Sequence, residues 1–383
     1  MSFAAAISRH PSTPDATAEV VGEVLDRGGA SPDLALVFCS AEHVDAFEDI
    51  VGTVRALVAP RRLLGITASG VVGGAEEVED EPALGLWTGH LGYVPEPVRM
   101  TAAGTSAGVA LQGLPQPAPD RAQTVLLLAD PFSLPVPDIL DVVAAGDAPV
   151  PMIGGLASGG LSPGRNRLAL DGDVHTDGGV GVLLDGVQTV VSQGCRPVGS
   201  PMIVTRAEGN MLLELAGRGA VEQVERLLAG LSGEDRALVA EGGLHVGIVA
   251  DEHQLEFDRG DFLVRNVVGI DRDRGALAVG ATPEVGTTVQ FHLRDAHSAD
   301  EDLRALLAGR EAAAALLFTC NGRGRRLFGT PDHDAGVVAA HTSGGAVAGM
   351  FCAGEIGPVG RRSFLHGFTA SVLLFPAVPG RAG

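Results

Sequence analysis

The stretch VAGMFCAGEIGPVG, residues 347–360, begins as an apolar strand and then places Cys352 and Glu355 among glycines. A strand that only filled a core would carry no carboxylate here, because burying an unpaired charge is costly. Similar strand ends occur earlier in the chain, as GITASGVVGG at 65–74 and as GGLASGGLSPG at 154–164. We therefore interpret the quoted stretch as the end of a central strand in a repeated unit.

The repeated unit has the order strand, helix, strand, strand. Its helix is clearest at 42–58, where Val44, Phe47, Ile50 and Val54 follow helical spacing. Each glycine-rich end is a weak signal alone, but the three ends occur in the same order in units of similar length. The predicted units are 33–40, 42–58, 62–74 and 82–89; then 124–131, 137–146, 151–160 and 179–186; then 314–324, 333–341, 347–360 and 363–375.

The segment between the second and third units differs in composition. Residues 195–242 predict a strand and two helices, and residues 244–295 predict four strands with a hairpin turn at 271–275. A helix is predicted over 298–313, with Ser298 as N-cap and a capping-box glutamate three residues later. The sequence thus predicts an α/β fold of mixed to largely antiparallel sheets flanked by helices, with a helix–sheet–sheet–helix layering as one option.

Length and charge restrict the function classes. A chain of 383 residues suits two domains, and we place their boundary between residues 1–224 and 225–383. The formal net charge of −20 argues against nucleic acid or an anionic membrane surface as a partner. The chain contains no lysine, which excludes pyridoxal Schiff-base enzymes and P-loop phosphate clamps.

The cysteine, histidine and N-terminal patterns are plain. The four cysteines lie far apart without a CxxC pair, and the histidines, among them His245 and His292, show no metal-ligand spacing. We therefore expect reduced thiols, no metal and no cofactor. The N-terminus lacks a secretory signal and no long apolar segment occurs, so we expect a cytoplasmic protein.

Two stretches offer candidate binding residues. Cys320, Asn321, Gly322 and Arg323 follow a predicted strand, where arginine held by glycines can present a fork of donors to a carboxylate. A solvated basic loop explains this stretch equally well. Because turns after equivalent strands converge at one sheet edge, we expect Glu355 to face a pocket built jointly with this turn. The alternative interpretation of Glu355 is a solvated loop carboxylate.

The second stretch allows more than one interpretation. Cys352 is either a small core residue, the usual role of buried cysteine, or part of a site with Gly354 and Glu355. His366 is expected on one strand face with two phenylalanines, either as a core histidine or as the partner of a nucleophilic cysteine. A hydrolase or transferase using Cys320 or Cys352 with His366 therefore remains an alternative.

The sequence resembles the FIST domain family. FLVRNVVGIDRDRGALAVG, LLFTCNGRGRRLFG and VAGMFCAGEIGPVGRRSFLHGFTASVLLF resemble its C-terminal part, and LLGITASGVVGG with PALGLWTG and PMIGGLASGG resembles its N-terminal part. The resemblance covers about residues 30–375 and suggests a stand-alone bacterial-type member with a FIST N-terminal and a FIST C-terminal domain. Its signalling partner would then be a separate chain.

The resemblance implies a sensory role in signal transduction with a small ligand such as an amino acid. It points to the Cys320–Arg323 stretch, to Cys352, Gly354, Glu355 and His366, and to Arg265 and Asn266 in FLVRN. On this view Arg323 binds the carboxylate of an amino acid and Glu355 its ammonium, and no residue is catalytic. A scaffold that binds only another protein is a third alternative.

Overall fold

The computed structural model describes residues 2–105, 108–118, 120–146, 148–253 and 256–377. It is a mixed α/β structure with several mixed and antiparallel sheets flanked by helices, as the sequence predicts. Within the described residues, 3₁₀ helices occupy Ala41–Ala46 and Arg259–Asp261. The α-helices are α1 Thr13–Gly28, α2 Phe47–Leu57, α3 Val136–Ala145, α4 Ala220–Gly230, α5 Gly233–Ala240, α6 Ala296–Leu307, α7 Arg325–Phe328 and α8 His333–Ala339.

The strands alternate with these helices along the chain. They are β1 Ser2–Ser8, β2 Leu34–Ser40, β3 Leu63–Ala68, β4 Gly70–Gly73, β5 Glu76–Glu79, β6 Leu84–His90, β7 Glu96–Thr105, β8 Gly108–Gln112, β9 Gln123–Ala129, β10 Met152–Leu156, β11 Leu168–Leu170, β12 Asp173–His175, β13 Gly179–Asp185, β14 Gln188–Gln193, β15 Cys195–Glu208, β16 Met211–Leu215, β17 Arg218–Gly219, β18 Leu244–Val249, β19 Phe262–Asp271, β20 Ala276–Val279, β21 Thr288–Arg294, β22 Ala312–Cys320, β23 Thr342–Cys352, β24 Glu355–Val359, β25 Arg362–His366 and β26 Thr369–Pro376.

The described residues form two compact units. The first contains the described residues within 2–191, 303–365 and 369–377, and the second contains those within 192–302 and 366–368. Each unit is thus assembled from separate stretches of chain. The expected division into sequence domains at residue 224 stays a prediction.

The first unit contains the predicted repeat three times. In each copy a strand pairs in parallel with the strand after its helix and antiparallel with the fourth element, giving the orders β6-β2-β3, β13-β9-β10 and β26-β22-β23. A parallel pair requires a crossover connection, which the helix supplies in every copy. The repeat inferred from three similar strand ends is confirmed.

The three copies exchange strands in a closed cycle. After the central strand of the first copy the chain forms β4, which pairs with β23 of the third copy. After β23 the chain forms β24, which pairs with β10 of the second copy, and after β10 it forms β11, which pairs with β3 of the first. Every sheet therefore contains a strand donated by another copy, and no copy completes its sheet alone.

One core lies among the three sheets. Alternate residues of each central strand point inward, such as Leu36 and Phe38 of β2, Leu126 of β9 and Leu316 of β22. The residues between them point outward and are covered by helices, α1 and α2 on the first sheet, α3 on the second, and α6 and α8 on the third. Both faces of each sheet are buried, which accounts for the nearly continuous apolar sequence of these strands.

The three glycine-rich strand ends meet at the junctions between copies. Ser158 N donates to the carbonyl of Thr67 at 3.3 Å, and Ala353 N donates to the carbonyl of Leu156 at 3.1 Å. These backbone hydrogen bonds join the second copy to the first and the third copy to the second.

A serine hydroxyl closes the third junction. Ser69 N donates to Ser158 Oγ at 2.9 Å, and Ser158 Oγ donates to the carbonyl of Phe351 at 2.6 Å. The hydroxyl therefore links the first copy to the third, and Ser158 is 6% exposed. Removing it leaves a donor and an acceptor without their partner.

The second unit is a closed ring of strands. The order β15-β21-β18-β19-β20-β16 returns to its start because β15 also pairs with β16, and all these pairs are antiparallel. Register shifts in β15 and between β19 and β20 provide the local bending that closure requires. An apolar cluster that includes Val224 of α4, Val246, Phe291 and Leu293 packs on one side of the ring strands.

Several predicted elements differ from the structure. The helix predicted at 298–313 begins at Ala296, and Ser298 is not its cap, because its hydroxyl donates to Asp295 Oδ2 at 2.6 Å. The single strand predicted at 363–375 is two strands in different sheets, β25 and β26, so Phe368 does not share a strand face with His366. The sequence analysis also missed β1 and α1.

We predict that Ser158→Ala lowers the free energy of unfolding by about 1–3 kcal/mol, because two backbone groups at the third junction lose their shared partner. Ser69→Ala is the matched control. The Ser69 hydroxyl donates to Asn321 Oδ1 at an exposed position, and Ser69→Ala retains the backbone N–H. We therefore expect this variant to lower the free energy of unfolding by at most about 0.5 kcal/mol. Urea denaturation of both variants measures the difference, and equal losses would show that the hydroxyl does not hold the junction.

Candidate functional site

Arg323 lies in a tight turn after β22 and is buried, with 1% of its surface exposed. Its backbone N donates to the carbonyl of Cys320 at 2.8 Å. The next residue, Gly324, has a φ of 55°, and a Cβ there would fall 2.5 Å from Glu79 Oε1. Only glycine fits this position, so the turn that carries Arg323 is fixed by its glycine.

The partner of Arg323 is Asp334 at the start of α8. Arg323 Nε donates to Asp334 Oδ2 at 2.6 Å and Nη2 donates to Oδ1 at 2.8 Å, a two-bond pairing in which both side chains are buried. Thr319 Oγ1 also donates to Asp334 Oδ2, at 2.8 Å. Two donors of the Arg323 fork are therefore already used within the protein.

This pairing sets the charge of both groups. Burial alone would raise the pKa of Asp334, but Arg323 and the hydrogen bonds from His333 and Thr319 hold it well below its usual range. Burial acts to lower the pKa of Arg323, and the Asp334 carboxylate more than offsets this effect. Arg323 and Asp334 thus form a buried ion pair with no net charge.

The ion pair is enclosed by an aromatic stack. The rings of Phe328 and His333 lie parallel with centroids 3.5 Å apart, and the Arg323 guanidinium lies 5.3 Å from the Phe328 centroid.

Strand β5, donated by the first copy, adds two glutamates. Glu79 Oε1 accepts from Arg325 N at 3.0 Å, and Glu77 Oε1 accepts from Ala335 N at 2.9 Å. The exchanged strand therefore fixes the turn and the start of α8 together.

Glu77 is also unusually placed for a carboxylate. It is fully buried, and its Oε2 makes no hydrogen bond within the described residues. Burial, with the nearby charge of Asp334, raises the pKa of Glu77 to about 7. At neutral pH its carboxyl is therefore only partly ionised.

Glu355 begins β24, the strand that the third copy donates to the second. Its side chain is fully buried, and Oε2 accepts from Thr369 N at 3.2 Å and from Thr369 Oγ1 at 2.9 Å. Oε1 is buried without a hydrogen-bond partner within the described residues. Burial raises the pKa of Glu355 to about 8, although Thr369, Arg323 and the Cys320 thiol act to lower it.

The two cysteines differ in their surroundings. Cys352 is fully buried in the central core, and burial raises the pKa of its thiol well above the ordinary value, with a further contribution from Glu355. Its Sγ is so close to Gly155 that a Cβ there would fall 2.3 Å away. These features fit the interpretation of Cys352 as a small core residue. Cys320 is half-buried and accepts a hydrogen bond from Gly322 N at 3.4 Å.

The strand ends bring Cys320, Asn321 and Gly322 close to the end of β23. Asn321 N donates to the carbonyl of Cys352 at 3.0 Å, and Asn321 Oδ1 accepts from Ser69 Oγ at 2.8 Å. All three residues are partly exposed and Ala353 is exposed, whereas Gly354 is buried. This turn is thus the partly open edge of a cluster whose interior contains Arg323 and Glu355.

Three further predicted residues belong to the second unit. Arg265 and Asn266 lie on β19, and the second unit also includes His366. Burial lowers the pKa of Arg265, and His366 is 5% exposed. The first unit therefore brings together Cys320, Asn321, Gly322, Arg323, Cys352, Gly354 and Glu355.

The sequence does not predict the partners of the two charged residues. Asp334 pairs with Arg323 and Thr369 with Glu355, and Glu77 holds the start of α8. Asp334 lies near the start of a predicted helix, where an acidic residue is ordinary. The alternation of Glu77 and Glu79 with Val78 in a short strand was the one available sign that carboxylates point inward there.

Within the described residues, no group of three or more histidine, cysteine or acidic side chains could hold a metal ion. Among those same residues, no helix is long and apolar enough to cross a membrane.

We predict that Asp334→Asn destabilises the protein by about 3–5 kcal/mol, because it leaves the Arg323 charge buried without a counter-ion. Replacing both partners with apolar residues, as in Arg323→Met with Asp334→Leu, should recover much of that loss. The control is Glu222→Gln, which breaks the exposed pair with Arg218 and should cost at most about 1 kcal/mol. Chemical denaturation gives the free energy of unfolding of all three variants. Similar losses for Asp334→Asn and Glu222→Gln would contradict the assignment of Arg323 and Asp334 as a buried ion pair.

Comparison with known proteins identifies the family. The FIST N domain matches residues 33–218, and the FIST C domain matches residues 220–358. An uncharacterized protein of Mycobacterium bovis is 42% identical over 377 residues, covering 95% of this chain and 97% of its own length. An uncharacterized protein of Mycobacterium tuberculosis is 41% identical over 388 residues, covering 98% of this chain and 100% of its own. FIST domains are sensory domains of signal transduction, and this chain belongs to the FIST family.

Proposed function

We propose that this protein is a cytoplasmic sensor that binds a small molecule with a protonated amine, of which an amino acid is the simplest example. The observation that carries this proposal is the buried carboxyl of Glu355, of which one oxygen is held by Thr369 and the other has no hydrogen-bond partner within the described residues. We infer that the signal passes to a separate protein, and we propose no role for nucleic acid or membrane.

Glu355 costs stability in the free protein. A buried carboxyl with an unused oxygen is less favourable than an apolar side chain of similar size. Such costs are typical of functional sites, where a group is held ready for a ligand. An ammonium placed against Oε1 supplies the missing hydrogen bond together with a positive charge.

Ligand binding would then be linked to a proton. Near neutral pH the free Glu355 carboxyl is mostly protonated, because its pKa is about 8. A cationic donor favours the ionised carboxylate and therefore lowers this pKa. Binding thus releases a proton from Glu355, and the site responds to the amine and to pH together.

We assign the binding of the opposite end of the ligand to the Cys320–Arg323 turn. Asn321 turns its amide oxygen toward Ser69, so its amide nitrogen offers donors to a ligand carboxylate. Arg323 contributes chiefly as a positioning residue, because Asp334 occupies its Nε and Nη2. This division of roles differs from the expectation that Arg323 alone binds the carboxylate.

The enzyme alternative receives less support from the cysteines. A nucleophilic cysteine requires an accessible thiol with a lowered pKa. Cys352 has the opposite properties, since burial raises the pKa of its thiol well above the ordinary value. A Cys320 enzyme remains the alternative, which rapid labelling of Cys320 by a thiol reagent at neutral pH would favour.

We predict that amino acids or simple amines raise the melting temperature, because a ligand that binds only the folded state stabilises it by mass action. For a compound that binds, affinity measured by calorimetry should rise about tenfold per pH unit from about pH 6 and level off near the pKa of Glu355, at about 8. Repeating the titration in buffers of different ionisation enthalpy should show the release of about one proton.

Glu355→Gln should remove both the proton release and the pH dependence while leaving the fold intact, because glutamine keeps the shape of the side chain. Glu77→Gln is the matched control, since Glu77 is also a buried carboxyl of raised pKa but lies against α8. It should leave the pH profile of binding unchanged. A profile that is flat in the unmodified protein, or that survives Glu355→Gln, contradicts the proposed site.

A further inference from the structure

Two histidines lie opposite each other in the second unit. His245 on β18 and His292 on β21 are register partners in an antiparallel pair, and Asn266 on β19 is the partner of His245 on its other side. The side chains of His245 and His292 are 5% and 0% exposed. Three polar residues therefore form a row across three adjacent strands, in which both histidines are buried and Asn266 is exposed.

The imidazole nitrogens of this row lack partners. Neither ring nitrogen of His245 makes a hydrogen bond within the described part of the chain. His292 Nδ1 lies 3.1 Å from the carbonyl of Gln290, which makes Nδ1 the protonated nitrogen, and Nε2 has no partner there either. Buried polar groups are nearly always hydrogen-bonded, so three unpartnered nitrogens in one row indicate that something else bonds to them.

Arg294 and a strained phenylalanine, Phe368, lie beside this row. The rings of His245 and Phe368 are 4.4 Å apart between centroids, and the Arg294 guanidinium carbon lies 5.4 Å from the same Phe368 centroid. Phe368 has a φ of 65°, an unfavourable backbone conformation for an aromatic residue. Strain of this kind concentrates at binding sites, where the surrounding structure maintains it.

We propose that His245, His292 and Arg294 form an oxyanion-binding site in the second unit, which takes a carboxylate or phosphate group. The arginine supplies a permanent positive charge, and each imidazole supplies a donor once it is protonated. A metal cation is a poor occupant, because Arg294 repels it. The site is independent of Glu355, which belongs to the first unit.

Burial and the nearby charges explain why both imidazoles are neutral without an anion. Burial lowers the pKa of His245 to about 4, with further contributions from Arg294 and His292. Burial lowers the pKa of His292 to about 4 as well; the hydrogen bond to Gln290 acts to raise it, and the charge of Arg259 acts to lower it. The neighbouring carboxylates Asp295 and Asp302 pair with other arginines. An oxyanion would reverse the balance and draw a proton onto the row.

The test is a histidine-labelled NMR titration of the full-length protein with inorganic phosphate and, separately, with acetate, at about pH 6. We expect either anion to shift the ring signals of His245 and His292 toward the protonated form. Affinity should fall by up to about tenfold for each pH unit above that point, because binding takes up a proton. Exposed His297 serves as the internal control and should not move. Phosphate binding alone indicates a phosphorylated ligand, and acetate binding alone indicates a carboxylate.

His245→Phe keeps the stacking on Phe368 and removes both unpartnered nitrogens. We expect it to weaken anion binding at least tenfold while the melting temperature stays the same or rises, an outcome that a purely structural histidine would not give. Arg294→Gln tests the same site if the first variant fails to fold. Unchanged ring signals in the unmodified protein with both anions, or unchanged anion affinity in these variants, would overturn the proposal.

Discussion

The first unit depends on a closed cycle of exchanged strands, in which β4 pairs with β23, β24 with β10 and β11 with β3. Two of the three junctions are made by backbone hydrogen bonds between strand ends, whereas the third runs from Ser69 N through Ser158 Oγ to the carbonyl of Phe351. Because each sheet contains a strand donated by another copy, no copy is a complete sheet by itself. We therefore expect the whole unit to fold cooperatively. The small, glycine-rich residues allow the three strand ends to approach each other closely.

The candidate site lies where the repeat departs from its own symmetry. The residue after the strand-end glycine is Val71 in the first copy, Gly160 in the second and Glu355 in the third. In the first copy this position is buried, and in the second it is partly exposed. The third copy places a buried carboxyl there, and burial raises the pKa of that carboxyl to about 8. The exchanged β5 adds Glu77 and Glu79 around Arg323, so the site is built from two copies at once.

The sequence predicted the local architecture well and the long-range pairing poorly. Strand–helix–strand–strand order, the three similar ends and the hairpin at 271–275 all follow from patterns within a few dozen residues. The strand exchange does not, because β4, β11 and β24 are short and nothing in their composition specifies a partner 102 (168 minus 66) to 279 (350 minus 71) residues away in the chain. The same limit applies to the site. The sequence predicts Glu355 and Arg323 as site residues. It does not predict Asp334 as the partner of Arg323, because that pairing depends on how α8 packs. The register that sets His245 opposite His292 likewise cannot be read from their spacing of 47 residues (292 minus 245).

In the proposed sensor, Glu355 is held largely protonated in the ligand-free protein and is thereby prepared for a cationic ligand. The most direct measurement is a carbon NMR titration of the glutamate side-chain carboxyls, with Glu355→Gln and Glu77→Gln used to assign the unusual signals. We expect one carboxyl signal that titrates near pH 8 and is absent from Glu355→Gln. A second signal should titrate near pH 7 and be absent from Glu77→Gln. If every glutamate titrates close to the ordinary value of about 4.3, Glu355 is ionised and already satisfied, and the proposed basis of ligand recognition is wrong.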